Sequence, residues 1–179
     1  DEGLVRSLNR AALTMNIAMT QVQDELALQA GQPTPPQKWQ IDQHASAGVA
    51  LLESLGVSDP AWLEIVARHH DAPELQPQDG SPIALLTRVL MATDRYTALI
   101  SPRETRSGRC ITDSGRNVVA RNGNVPDPVG HALLRTVGIC PPGTFVRLQD
   151  QSVAVVLRRT EVPGAPLVAP VLDPDGHPI

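Results

Sequence analysis

Residues 59–70 read DPAWLEIVARHH, a stretch that contains both a helix start and a pair of adjacent histidines. Asp59 is a good N-cap, and Pro60 suits the first helical position, where no backbone N–H is needed. Apolar residues then recur at helical spacing, and His69 and His70 continue the same face; these apolar residues are Trp62, Ile65 and Val66. The stretch predicts a helix that carries two histidines on its core-facing side.

Similar patterns predict helices on both sides of this stretch. Apolar residues recur at three- and four-residue steps, and two polar residues, His44 and Asp94, fall on these apolar stripes. Asp127-Pro128 starts a later helix, which Gly138 ends. The helices are predicted at about residues 4–30, 37–55, 59–70, 83–100 and 127–137.

After Gly138 the pattern changes to short β-type runs separated by turn residues. The runs cover residues 145–148, 152–158 and 167–172. We therefore expect a mostly α fold, a helical bundle with a small C-terminal antiparallel β-sheet. Two domains are expected. Residues 1–138 form a helical domain, which is incomplete at its N-terminal side because the first helical pattern starts almost at residue 1. Residues 139–179 form a small β extension.

The composition excludes several classes of protein. The net charge of −4 over 179 residues provides no basic field for duplex nucleic acid. The apolar runs are shorter than a membrane span, and residues 1–4 do not resemble a secretory signal. Cys110 and Cys140 lack metal-ligand spacing and are interpreted as reduced thiols. We expect a cytoplasmic protein that binds neither duplex nucleic acid nor membrane.

Four residues on apolar stripes are candidate metal ligands: His44, His69, His70 and Asp94. An ionised carboxylate on a core-facing stripe is costly unless it is paired or coordinated. Neutral imidazoles and carboxylates are suitable ligands for zinc, iron or manganese. The pattern therefore predicts a divalent metal site.

Other interpretations of the same residues stay open. A histidine on an apolar face is commonly a satisfied core residue, and Asp94 can pair with Arg68 or Arg88. Adjacent histidines on one helix diverge by about 100°. We therefore expect His69 and His70 to serve different ions of a pair, or one to be a ligand and the other a donor to substrate.

Several motifs, taken together and in order, resemble those of HD-GYP domains, metal phosphohydrolases of the HD superfamily that cleave cyclic di-GMP. The matching segments are 44–48 (HASAG), 55–63 (LGVSDPAWL), 68–71 (RHHD), 87–99 (TRVLMATDRYTAL), 101–106 (SPRETR) and 141–148 (PPGTFVRL). The resemblance implies an HD-type helical bundle and a ligand set that includes His44, His69, His70 and Asp94. It also implies phosphate binding by Arg103 and Arg106, although both can equally be solvated charges after a helix end.

The chain departs from the family where the name-giving His-Asp dyad belongs. Met15 stands in place of that histidine and Asn16 in place of the aspartate. Methionine is a soft, weak ligand for hard ions, and asparagine has no charge with which to bridge two of them. The Gly-Tyr-Pro loop is missing between His70 and Asp94, and Asp71 replaces a glutamate.

We therefore expect a degenerate HD-GYP-like signalling domain that is catalytically impaired. It would act by binding cyclic di-GMP or another nucleotide, a signalling protein or a second copy of itself. For its divalent metal (Fe, Mn or Zn), retention and loss both stay open. The alternative is an active metal-dependent phosphohydrolase with a reduced metal site. A third hypothesis is a structural or dimerisation domain whose histidines are core residues.

Overall fold

The computed structural model describes residues 1–71, 81–101, 120–121, 125–138, 140–162 and 165–179. The chain divides into two compact units, Asp1–Gly108 and Arg109–Ile179. The helix that precedes the sheet belongs to the second unit. The sequence-based division after residue 138 separates helical from β-type sequence, and it stays a prediction.

The described part of the first unit is helical. Its elements are α1 (Glu2–Thr14), a 3₁₀ turn (Ile17–Met19), α2 (Thr20–Leu28), α3 (Pro35–Ser54), α4 (Pro60–Arg68) and α5 (Pro82–Ile100). The described part of the second unit contains β1 (Ala120–Arg121), β2 (Val125–Pro126), α6 (Pro128–Val137), β3 (Phe145–Arg147), β4 (Val153–Arg158) and β5 (Leu167–Leu172). The last three strands form an antiparallel sheet with β4 in the centre. The expected mostly α fold with a small C-terminal antiparallel sheet is confirmed.

Local sequence signals start or end three of the helices, and those of α4 and α6 were expected. Asp59 caps α4 by accepting hydrogen bonds from the backbone N–H groups of Ala61 and Trp62, at 3.1 and 3.2 Å. Thr34 and Gln37 form a capping box at the start of α3. Gly138, at φ 87°, ends α6.

The prediction of one helix over residues 4–30 is wrong, because the chain breaks between α1 and α2. Asn16 has φ −103° and ψ 10°, and Met19 has φ −126° and ψ 15°. Asparagine is a weak helix former, since its side chain competes for backbone hydrogen bonds. The broken segment lies against α3 at Gly48, where a Cβ atom would be 3.9 Å from the carbonyl oxygen of Met15 and 3.8 Å from Ile17.

The core of the first unit joins α1, α3, α4 and α5. Its buried members are Ala11, Leu52, Ile65, Val66 and Leu90. Ile65 and Val66 on α4 are completely buried. Helix α4 is therefore held from several sides, and the position where it ends is fixed relative to α3. Among the described residues, no helix combines the length and the apolar character that crossing a bilayer requires.

Asp59 also links the start of α4 to α1. The hydroxyl of the buried Ser7 donates to Asp59 Oδ2 at 2.7 Å, and the Arg10 guanidinium lies 3.8 Å from the same oxygen. The Ser7 hydrogen bond, followed by the two backbone N–H groups and the Arg10 charge, lowers the pKa of Asp59 against the opposing effect of desolvation.

We predict that Asp59→Ala lowers the free energy of unfolding by about 1–2 kcal/mol at pH 7, because it removes an N-cap and an interhelical contact. A carboxyl whose pKa is lowered on folding stabilises the fold above its unfolded pKa, and the effect is lost as the pH falls through the folded pKa. The difference from the unsubstituted chain should therefore shrink below about pH 4. Urea unfolding at pH 7 and pH 3 measures this, with the exposed Asp24→Asn as control; an undiminished difference at pH 3 would contradict it.

The turn between β3 and β4 contains a residue in the left-handed region. Gln151 has φ 73°, and among the described residues no other non-glycine residue has a positive φ. A residue with a Cβ atom loses about 1–2 kcal/mol of stability in this conformation. Glycine avoids this strain, and its greater loss of backbone entropy on folding offsets only part of the gain. We predict that Gln151→Gly raises Tm by a few degrees. Gln149→Gly, in the same turn but at negative φ, should not raise Tm; equal effects of the two changes would refute the strain.

Candidate metal centre

Two neighbouring helices position three histidines at one point. His44 lies on the core-facing side of α3 and is 3% exposed, and His69 is the C-cap residue of α4 and is 2% exposed. His70 follows directly and is exposed as a residue, although its ring faces the other two. The core contacts of α4 therefore hold the pair beside α3.

The three imidazoles converge through their ring nitrogens. His44 Nε2 lies 3.0 Å from His69 Nε2 and 3.2 Å from His70 Nε2. With one ring nitrogen taken from each residue, the three atoms all lie within 4.8 Å of one another. These distances allow all three residues to contact one ion.

The expectation that His69 and His70 point apart is wrong. The divergence of 100° holds only inside a regular helix, and α4 ends at Arg68. His69 has ψ −5°, and the backbone N–H of Asp71 donates to the carbonyl oxygen of Arg68 at 3.0 Å in a tight turn. This turn brings the two rings together, with centroids 4.1 Å apart.

Backbone carbonyls fix the tautomers of the two buried histidines. His44 Nδ1 lies 2.5 Å from the carbonyl oxygen of Ile41, and His69 Nδ1 lies 2.6 Å from that of Val66. A carbonyl oxygen can only accept a hydrogen bond, so each Nδ1 must carry a proton and donate it. In the neutral rings, both Nε2 atoms are then unprotonated and have a lone pair available for a ligand bond.

This arrangement favours a cation between the rings. Two lone pairs that face each other at 3.0 Å repel unless a proton or a metal ion lies between them. Three imidazole nitrogens bound to one ion at about 2.1 Å lie about 3.0–3.4 Å apart, and the distances from His44 Nε2 to the other two Nε2 atoms, 3.0 and 3.2 Å, fall in this range. The donor set therefore fits a divalent metal ion.

The protonation of the cluster also suits a metal. Burial, together with the nearby His70 and His44, lowers the pKa of His69 to about 4 against the opposing effects of the Val66 carbonyl and Asp94. Desolvation, and then the neighbouring His44, lowers the pKa of His70, although Asp94 and Asp71 oppose this. Because metal ligation requires neutral imidazole, these shifts leave both rings ready to bind near neutral pH.

Asp94 acts on two of the histidines but lies outside the ligand group of the three. It is half-buried on α5, and its charge acts on both His69 and His70. The structure thus brings together three of the four predicted ligands, and a ligand role for Asp94 stays a prediction. Arg103 and Arg106, the predicted phosphate-binding residues, lie outside the described residues.

Met15 and Asn16 lie at the helix break described above. Met15 is partly buried and packs against the core cluster that contains Leu52 and Val66. A core-packing methionine thus occupies the position that the family resemblance assigns to a ligand histidine. Asn16 is half-buried between α1 and the 3₁₀ turn.

Two features were missed by the sequence reasoning. The carbonyls of Ile41 and Val66 orient the buried rings, and in both cases the carbonyl belongs to the residue three positions before the histidine, a spacing visible in the sequence. A second group, Asp173, Asp175 and His177, surrounds an exposed turn after β5. There Asp173 accepts a hydrogen bond from the backbone N–H of His177 at 2.8 Å, which serves the turn itself.

Comparison with known proteins finds a relative over most of the chain. The chain is 28% identical over 163 residues to a curated cyclic di-GMP phosphodiesterase of Pseudomonas aeruginosa. The match covers 87% of this chain but only 39% of the length of that protein. No protein-family model matches the chain, and no solved structure matches it. The similarity supports the relation to cyclic di-GMP phosphodiesterases that the motifs indicated.

We predict that metal binding stabilises this chain. Zinc at about 100 times its Kd should raise the free energy of unfolding of the EDTA-treated chain by about 2–3 kcal/mol, because the ion binds the triad of the folded state and does not bind the unfolded chain. Thermal unfolding with EDTA and with added Zn²⁺ measures the effect. His69→Asn should abolish it, and His131→Asn, an exposed histidine of α6, should preserve it. A zinc effect that survives in His69→Asn would place the ion elsewhere.

Proposed function

We propose that this chain is a degenerate HD-GYP-like signalling domain, which holds one divalent ion in its histidine triad and acts by binding rather than by turnover. The observation that carries the proposal is the cluster of three imidazoles, whose Nε2 atoms lie 3.0 and 3.2 Å apart. The 28% identity to a cyclic di-GMP phosphodiesterase supports the family, and the departures at Met15 and Asn16 support the loss of activity.

The chemistry of the donors supports a transition metal. Three neutral imidazoles are borderline ligands that suit zinc, iron or manganese, whereas magnesium and calcium prefer carboxylate, carbonyl and water oxygens. The nearby charge of Asp94 offsets part of the positive charge of the ion. We propose zinc, iron or manganese as the resident metal.

The replaced residues argue for a single ion. In a two-metal site, an anionic group commonly bridges the ions and reduces their mutual repulsion. Asn16 has no charge for this role, and Met15 is engaged in the core. A bound ion would supply Lewis-acid chemistry to a phosphodiester. Among the described residues, the chain offers three imidazole ligands, and the charges of Asp94 and Asp71 act on them from nearby.

The proposed ligand is cyclic di-GMP or a related nucleotide. The P. aeruginosa relative is named for its action on cyclic di-GMP, and the matched region includes most of this chain. A phosphate group would meet the triad from the side of His70, which is open to solvent. The proposal also includes phosphate binding by Arg103 and Arg106, a protein partner or homodimer, and a cytoplasmic location.

The test measures metal content, nucleotide binding and turnover on the same preparation. We expect about one ion per chain, saturable binding of cyclic di-GMP by calorimetry, and hydrolysis with added Mn²⁺ or Fe²⁺ at the background rate. The double change Met15→His with Asn16→Asp should raise the metal content, because it returns two ligands to the site.

Two results would change the assignment. Hydrolysis of cyclic di-GMP that is lost in His69→Asn would refute impairment and favour the active phosphohydrolase with a reduced site. A metal-free chain whose His70→Asn variant loses no ligand affinity would favour a structural domain. The exposed His131→Asn serves as the matched control in each assay.

A further inference from the structure

We propose that the triad is asymmetric: His44 and His69 are the retained ligands, and His70 is the exchangeable ligand through which the ion enters and leaves. This inference rests on the proposed metal binding and adds the route of exchange to it. It follows from differences among the three histidines in hydrogen bonding, burial and position on the chain.

Two of the rings are held by hydrogen bonds to the backbone. The Nδ1–H groups of His44 and His69 donate to the carbonyls of Ile41 and Val66. Both residues are at most 3% exposed. Turning either ring away from the centre would break this hydrogen bond and leave the buried ring N–H without its partner, which is costly. These rings therefore keep their Nε2 atoms at the centre whether or not an ion is bound.

His70 lacks these restraints. Within the described residues, its ring makes one hydrogen bond, from Nε2 to His44 Nε2 at 3.2 Å, and no backbone carbonyl holds its Nδ1. It follows the end of α4 and is exposed to solvent. Turning this ring outward gives up one contact, and water can replace what is lost. His70 is thus the ligand with the lowest cost of detachment.

The same geometry predicts a change of tautomer at His70 alone. His44 Nε2 can only accept, so in the metal-free chain His70 must donate from Nε2 to make their hydrogen bond. When His70 Nε2 binds an ion, the ring proton must lie on Nδ1 instead. The ring stays neutral, because one proton leaves Nε2 to water and another arrives at Nδ1.

Asparagine substitutions test the asymmetry. The amide of asparagine can replace the Nδ1–H donor of histidine, but it does not reach the position of Nε2. We expect His44→Asn and His69→Asn to weaken Zn²⁺ binding at least about 100-fold. His70→Asn should weaken Zn²⁺ binding only about 10-fold, and its release of Zn²⁺ to a chelator should become about 10-fold faster. His131→Asn should match the unsubstituted chain in both measurements.

Equal losses of Zn²⁺ affinity in the three variants, or an unchanged release rate in His70→Asn, would overturn the inference while the proposed metal binding stands. Failure of the unsubstituted chain to bind Zn²⁺ would overturn both. Thermal unfolding in EDTA shows whether each variant folds.

Histidine ¹⁵N spectra of the unsubstituted chain decide the question independently of any variant. On addition of Zn²⁺, the proton of His70 should move from Nε2 to Nδ1, while His44 and His69 keep theirs on Nδ1 throughout. A tautomer change at His44 or His69, or none at His70, contradicts the asymmetric triad.

Discussion

Val66 is completely buried on α4, and its carbonyl oxygen accepts the Nδ1–H of His69. The packing of this part of α4 against the rest of the core is the constraint on which the candidate site depends. It fixes where the helix ends, and the end of the helix fixes the turn that carries His69 and His70. A shift of α4 along α3 by one residue would separate these rings from His44.

Burial gives the site its chemical character. Neutral imidazoles removed from water are poor bases, and their lone pairs remain free for an ion. The same burial makes the cluster unfavourable without a cation, since nitrogen atoms with lone pairs face each other at 3.0 Å. The fit of the site to a metal ion and the unfavourable contacts without a cation therefore have one physical origin.

The helix break near Met15 shows how the core accommodates a methionine at the position that the family resemblance assigns to a ligand histidine. Met15 contributes apolar contacts to the core, and the close approach of α3 at Gly48 accommodates the broken segment. Core packing tolerates a methionine of suitable volume at this position.

The sequence by itself determined the starts of α4 and α6, the change from helical to β-type pattern after residue 138, and the placement of His44 and His69 toward the core. Capping and periodicity are local properties, which neighbouring residues decide. Only the tertiary structure decided that residues 4–30 break at Asn16, that α4 stops at Arg68, and that two adjacent histidines meet a third at one point. These features depend on contacts between helices that are distant in sequence. The helical periodicity was extended past the true end of α4, so it predicted that the rings of His69 and His70 point apart, whereas the turn after Arg68 brings them together.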